Sequence, residues 1–141
     1  MDMRIEVVLL PVADVDRAKS FYVNRVGFHL DVDHRPSEEF RVVQMTPPGS
    51  SCSITIGIGL GTGQPGSVKG THLVVSDIEA AVSELSERGV AVDPIRHMTA
   101  DGWNAGPSPD RSDYESFSGF ADPDGNTWVL QEVGHRSVAP S

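Results

Sequence analysis

The stretch VVLLPVADVDRAKSFYVNRVGF at residues 7–28 runs from an apolar strand through a turn into a helix and stops at a glycine. The stretch GTHLVVSDIEAAVSELSERGVAV at residues 70–92 does the same. Asp14-Val15 recurs as Asp77-Ile78, an offset of 63 (77 − 14). In the first copy Val15, Ala18 and Tyr22 stand at i, i+3 and i+7, with Phe21 beside them. In the second, Ile78, Ala81, Val82 and Leu85 make an apolar stripe, so each copy predicts an amphipathic helix. Ser76 and Glu79 form a capping-box pattern, and Gly27 and Gly89 are left-handed helix stops.

A second landmark repeats in the same order. Pro48-Gly49 precedes the strand SCSITIGIGL, and Asp124-Gly125 precedes NTWVLQEV. That offset is 76 (125 − 49), so the second copy carries about 13 more residues, expected in the loop HMTADGWNAGPSPDRSDY at 97–114. Each copy then reads β-α-β-β-β. Strands are expected near 3–10, 28–34, 40–46 and 52–60, then near 70–75, 91–96, 117–121 and 127–133. The fold class is α+β, with two such modules curving into an eight-stranded open cup and helices outside. One domain is expected over 1–134, with modules of about 1–62 and 63–134 and a flexible tail at 135–141.

Composition narrows the function. The 141 residues carry a net charge of −9 and no basic stripe, which argues against nucleic acid and against an anionic membrane as partners. No apolar run is long enough to span a bilayer. Cys52 is the only cysteine, which rules out an internal disulfide and a thiolate-rich metal site, and suits a reducing cytoplasm.

The pattern Val12-Ala13-Asp14-Val15, Ala18, Phe21-Tyr22, Gly27-Phe28 resembles the opening of vicinal-oxygen-chelate modules. That family contains glyoxalase I, bleomycin-resistance proteins and extradiol dioxygenases. The run Asp122-Pro123-Asp124-Gly125-Asn126 resembles the turn before their last strand. The resemblance covers nearly the whole chain and implies paired βαβββ modules and a homodimer. In metal-dependent relatives four strand positions supply His, Gln or Glu to a divalent cation. The matching positions here are Val7, Ser53, Gly70 and Val129. Only a serine hydroxyl among these offers a donor atom, so no metal and no other cofactor is expected.

Strand alternation gives an independent reading of the cup. Ile54, Ile56, Ile58 and Leu60 should pack under the helices, and Ser53, Thr55, Gly57 and Gly59 should leave room on the other face. Filling that room by Gly57→Leu is expected to leave stability unchanged. The same parity puts Val7, Leu9, Gly70, His72, Val129 and Gln131 on the cup side, with Glu132 and Trp128 turned away. Trp103 and Tyr114 on the long loop are candidate stacking residues for a ligand, and Arg41 and Arg111 are available to an acidic one.

Two functions follow from this reading. The first is a metal-free small-molecule-binding protein of the glyoxalase/bleomycin-resistance type, holding a small organic ligand in an apolar cup. The alternative is a lyase, isomerase or dioxygenase, metal-dependent or using His72 as a catalytic acid/base.

Overall fold

The computed structural model describes residues 1–136. The last residues of the expected tail, 137–141, lie outside them. The chain divides into two compact units, Met1–Lys69 with Ala121–Asn126, and Gly70–Phe120 with the residues from Thr127 onward. The class is α+β, with one sheet of four strands and one of five.

In the first unit β1 (Val7–Leu9) is followed by α1 (Val15–Ser20), which continues as a π-helical turn over Phe21–Val26. Then come β2 (His29–Ser37), β3 (Phe40–Thr46) and β4 (Ser53–Ile58). The sheet order is β1-β4-β3-β2, with β1 parallel to β4 and the other pairs antiparallel. Asp14 caps α1 by accepting from the Arg17 N–H at 3.0 Å. Val15, Ala18 and Tyr22 of the predicted stripe are buried with Leu10, Val43, Met45, Ile54 and Ile56. The apolar face of β4 is therefore the core face, as alternation requires.

The turn Asp122–Asn126 belongs to this unit although it comes from the second repeat. The Tyr22 hydroxyl donates to Asp122 at 2.7 Å. The other Asp122 oxygen accepts from the Asp124 and Asn126 N–H groups. The Asn126 amide in turn donates to the Pro11 carbonyl at 2.9 Å. A buried polar cluster is tolerable only when its members are satisfied, and the Tyr22, Asp122 and Asn126 side chains are, while one Asp124 carboxylate oxygen is buried without a partner.

The second unit holds β5 (Thr71–Val75), α2 (Ile78–Glu87), β6 (Arg96–Thr99), β7 (Gly102–Ala105), β8 (Ser116–Ala121) and β9 (Thr127–Glu132). Its sheet order is β5-β9-β8-β6-β7. Ile78, Leu85, Val90, Phe120, Trp128 and Leu130 form the core, with Phe120 stacked on Trp128 at 6.1 Å between centroids. Gly27 and Gly89 end the two helical segments at φ 93° and 87°, a conformation in which a Cβ is penalised.

Several expectations need correction. The cap of α2 is Asp77, which accepts from the Ala80 N–H at 3.1 Å, and not Ser76. The first strand is confined to Val7–Leu9, and residues 3–6 lie outside any strand. No strand spans 91–96; only a single bridge joins Val92 to Phe120. Pro94 is the reason, because it offers no N–H and constrains Asp93 before it. The strand starts instead at Arg96. The segment read as a loop begins as the β6–β7 hairpin, which gives nine strands among the described residues where eight were expected.

Candidate functional site

The site is clearest on the second unit, built outward from β9. Trp128, Leu130 and Glu132 are buried on one face of that strand, and Thr127, Val129 and Gln131 are half-buried on the other. The parallel register sets His72 beside Val129 and Val74 beside Gln131. Phe120 of β8 stacks on Trp128, so Phe117, an odd number of residues away, lies on the face of Val129. Register then carries the same face to Arg96, opposite Phe117 and Ala105, and to Met98, opposite Trp103.

This face is aromatic and cationic. Trp103 meets Phe117 edge-to-face with centroids 5.5 Å apart. The Arg96 guanidinium lies 4.3 Å from the centre of the Trp103 ring. Trp103 is 48% exposed and Tyr114 61%, unusual for side chains of that apolar area. A cleft of about 470 Å³ adjoins Arg96 and is lined also by Asp93, Pro94, Ile95, Ala105 and Ser118.

Tyr114 reaches this region through its backbone. Its N–H donates to the Glu132 carbonyl at 2.9 Å, and its own carbonyl accepts from the Gln131 amide at 3.2 Å. Both Tyr114 and Arg111 have positive φ, 67° and 51°. Such conformations in non-glycine residues persist only where the surroundings hold them. The holding contact is the Arg111 side chain, which meets Glu132 twice, at 2.8 and 2.6 Å, and Glu79 at 2.7 Å. Glu132 is fully buried and also accepts from the Ile78 N–H at 2.8 Å. The Arg111 hydrogen bonds, aided by that N–H, hold the Glu132 carboxyl below its ordinary range.

Arg111 is thus committed to structure and is not available to an acidic ligand. Arg41 is committed too: its guanidinium bonds Asp33 at 3.1 and 2.9 Å and Asp16 at 2.8 Å. These bonds, with that of Lys19, hold the Asp33 carboxyl well below the usual carboxylate range.

The first unit presents a different face. Val7 pairs with Ser53 and Leu9 with Thr55, as the shared parity predicts. Val7 and Leu9 are exposed, whereas Ser53 and Thr55 are buried. The Ser53 hydroxyl shares a 2.6 Å hydrogen bond with Thr46, which in turn donates to Asp31. Gly57 has a packing role: an added Cβ would collide with the Arg41 carbonyl and press on Leu60 at 2.8 Å. The expected tolerance of Gly57→Leu is therefore reversed.

The four positions that metal-dependent relatives use do not suit a cation. Val7 and Val129 have no donor atom, and Ser53 is hydrogen-bonded to Thr46. Gly70 has no side chain; its N–H donates to Thr127, and it precedes β5 at φ 75°. His72 is exposed, and its Nδ1 donates to the Gly70 carbonyl at 2.7 Å, which leaves Nε2 as an acceptor. One group of potential ligands among the described residues is Asp77, Glu132 and His135. Both Glu132 oxygens there are already held by Arg111 and Ile78, so this cluster reads as an ion-pair network.

A family profile described as the Glyoxalase/Bleomycin resistance protein/Dioxygenase superfamily matches residues 4–130. The chain belongs to this superfamily. Among similar solved structures, TnmS3, an antibiotic binding protein from Streptomyces sp. CB03234, is 34% identical with a TM-score of 0.71, covering 93% of this chain and 96% of its own. A superfamily protein from Sphaerobacter thermophilus DSM 20745 is 27% identical with a TM-score of 0.67, covering 94% and 98%. YetH, an uncharacterized protein of Bacillus subtilis (strain 168), is 24% identical over 94% of this chain and all of its own length.

Sequence reasoning singled out Trp103 but missed Arg96, Met98 and Phe117, which complete its surroundings. The available signal was Asp101-Gly102 between short alternating segments, a hairpin pattern that the surrounding glycines and prolines obscured.

Proposed function

We propose that this superfamily member binds a small, planar, antibiotic-like organic molecule without a metal ion, with the aromatic face of the five-stranded sheet as its principal contact. The observation that carries this reading is Trp103, exposed on a sheet face, braced by Phe117 and stacked by Arg96. Large aromatic side chains left in water beside such a face suit a flat ligand, whose burial would remove apolar area at about 25 cal/mol per Å². His72, Val129, Gln131 and Tyr114 extend the same contact region, with His72 Nε2 as a hydrogen-bond acceptor rather than a catalyst. On the first unit Val7 and Leu9 form a smaller apolar ledge beside Ser53 and Thr55. The antibiotic-binding activity stated for TnmS3, at 34% identity over nearly full length, supports the ligand class. The metal-free state is supported by the residues at 7, 53, 70 and 129.

We also propose a homodimer in the cytoplasm. Met1, Met3, Ile5, Val7 and Leu9 alternate strictly with polar residues or Val8, and all five are exposed, which suits pairing with a second copy. No described helix is long and apolar enough to cross a membrane. Native mass spectrometry of protein purified without chelator tests the set together. The expected result is a dimer mass with no divalent metal. A monomer at micromolar concentration, or about one zinc, nickel or iron per chain, would contradict it.

A further inference from the structure

The Arg96 guanidinium stands apart from the other well-placed arginines of the chain. Arg17, Arg35, Arg41, Arg88 and Arg111 are each ion-paired to a carboxylate. Arg96 has no ion pair and no side-chain hydrogen bond among the described residues, and its one specific contact is the Trp103 ring.

We infer that Arg96 is the specificity-determining residue of the aromatic face and selects ligands that carry a planar oxyanion, an aryl carboxylate or its equivalent. Three observations lead there. The guanidinium sits 4.3 Å from the centre of the Trp103 ring and donates to no described residue, so its N–H groups are free to meet a carboxylate with two parallel hydrogen bonds. Phe117 and Trp103 supply the surface on which the attached ring would lie. The adjoining cleft of about 470 Å³, lined also by Asp93, Pro94, Ile95, Ala105 and Ser118, has a volume that suits a two- or three-ring compound. Asp93 lines the same cleft and opposes an anion, so the oxyanion must lie toward Arg96 and away from Asp93, with the attached ring on Trp103 and Phe117. The chain's negative charge opposes an anion only at long range, where salt screens it within about 8 Å.

This inference rests on the proposed binding function, and a matched pair of probes separates the two. 2-Naphthoate and its neutral analogue 2-naphthamide share a ring and differ in charge. Calorimetric titration of the full chain should show 2-naphthoate binding about tenfold or more tightly. Arg96→Gln should weaken 2-naphthoate far more than 2-naphthamide and bring the two probes to about equal affinity. Arg96→Lys, which keeps charge but not the planar fork, should restore only part of the preference. Asp93→Asn should tighten 2-naphthoate, because it removes the opposing carboxylate. All three substitutions fall on exposed side chains, so melting temperature serves as a folding control.

Equal affinity for the two probes, or a preference that survives Arg96→Gln, would overturn the inference while leaving the binding function standing. Failure of both probes would overturn both. So would a shift from dimer to monomer on Arg96→Gln, since that would mean a second copy occupies this face.

Discussion

The two repeats begin alike and finish differently. Asp16 and Glu79 stand at the same place, second in their helices and 63 residues apart (79 − 16), and each is held by an arginine. In the first unit that arginine is Arg41 on β3, which also bonds Asp33 on β2. In the second it is Arg111, from the segment that has no counterpart in the first repeat, and it reaches the buried Glu132. The open faces diverge in the same way. Ser53, Thr46 and Asp31 in the first unit hydrogen-bond to one another. In the second the additional strand β7 brings Trp103 onto the sheet beside Phe117. One insertion therefore supplies both the clasp that orders the second unit and the aromatic surface that its partner lacks.

The largest expected effect comes from breaking the clasps. Arg111→Met leaves Glu132 buried with only the Ile78 N–H, a loss of about 3–5 kcal/mol. Arg41→Met should cost clearly less, because Asp33 keeps Lys19 at 2.7 Å and Asp16 is open to water. Urea unfolding of the two variants measures this, and equal losses would break the contrast.

Gly57→Ala comes next, at about 1–3 kcal/mol, since a single methyl would collide with the Arg41 carbonyl. An unchanged urea midpoint would show that β3 and β4 can separate at this point and that the close approach is not needed.

Acid should act on both clasps. Asp33, Asp77 and Glu132 all titrate below their ordinary values in the folded chain. The unfolded chain thus binds more protons near pH 4, and stability rises with pH there. Their contribution is complete above the ordinary carboxylate range and is lost as pH falls through the folded values. The gap in melting temperature between the wild type and Glu132→Gln should accordingly narrow from pH 6 toward pH 3. A constant gap would mean that the charge of Glu132 contributes nothing.

What could be read in advance follows from the physics of each feature. Helix stripes, glycine stops and strand parity are local and periodic, so Val15, Ala18 and Tyr22 fell into the core as the pattern required. Parity also paired Val7 with Ser53 and set His72 on the side of Val129. Close approach is not local: Gly57 gave no sign that the Arg41 backbone passes over it. The roles of Arg41 and Arg111 were equally hidden, because an arginine's partners depend on tertiary neighbours. Arg96 escaped notice because Pro94 displaced its strand from the expected position.

The smallest stability effect should accompany the largest functional one. Trp103→Ala removes one edge-to-face pair, about 0.5–1.5 kcal/mol, and the platform for a ligand. Calorimetric titration of chelator-treated protein with a panel of planar aromatic compounds compares wild type and Trp103→Ala directly. The account predicts saturable binding that needs no added metal and is lost in the variant. Binding that requires a divalent cation, or that survives Trp103→Ala unchanged, would contradict it.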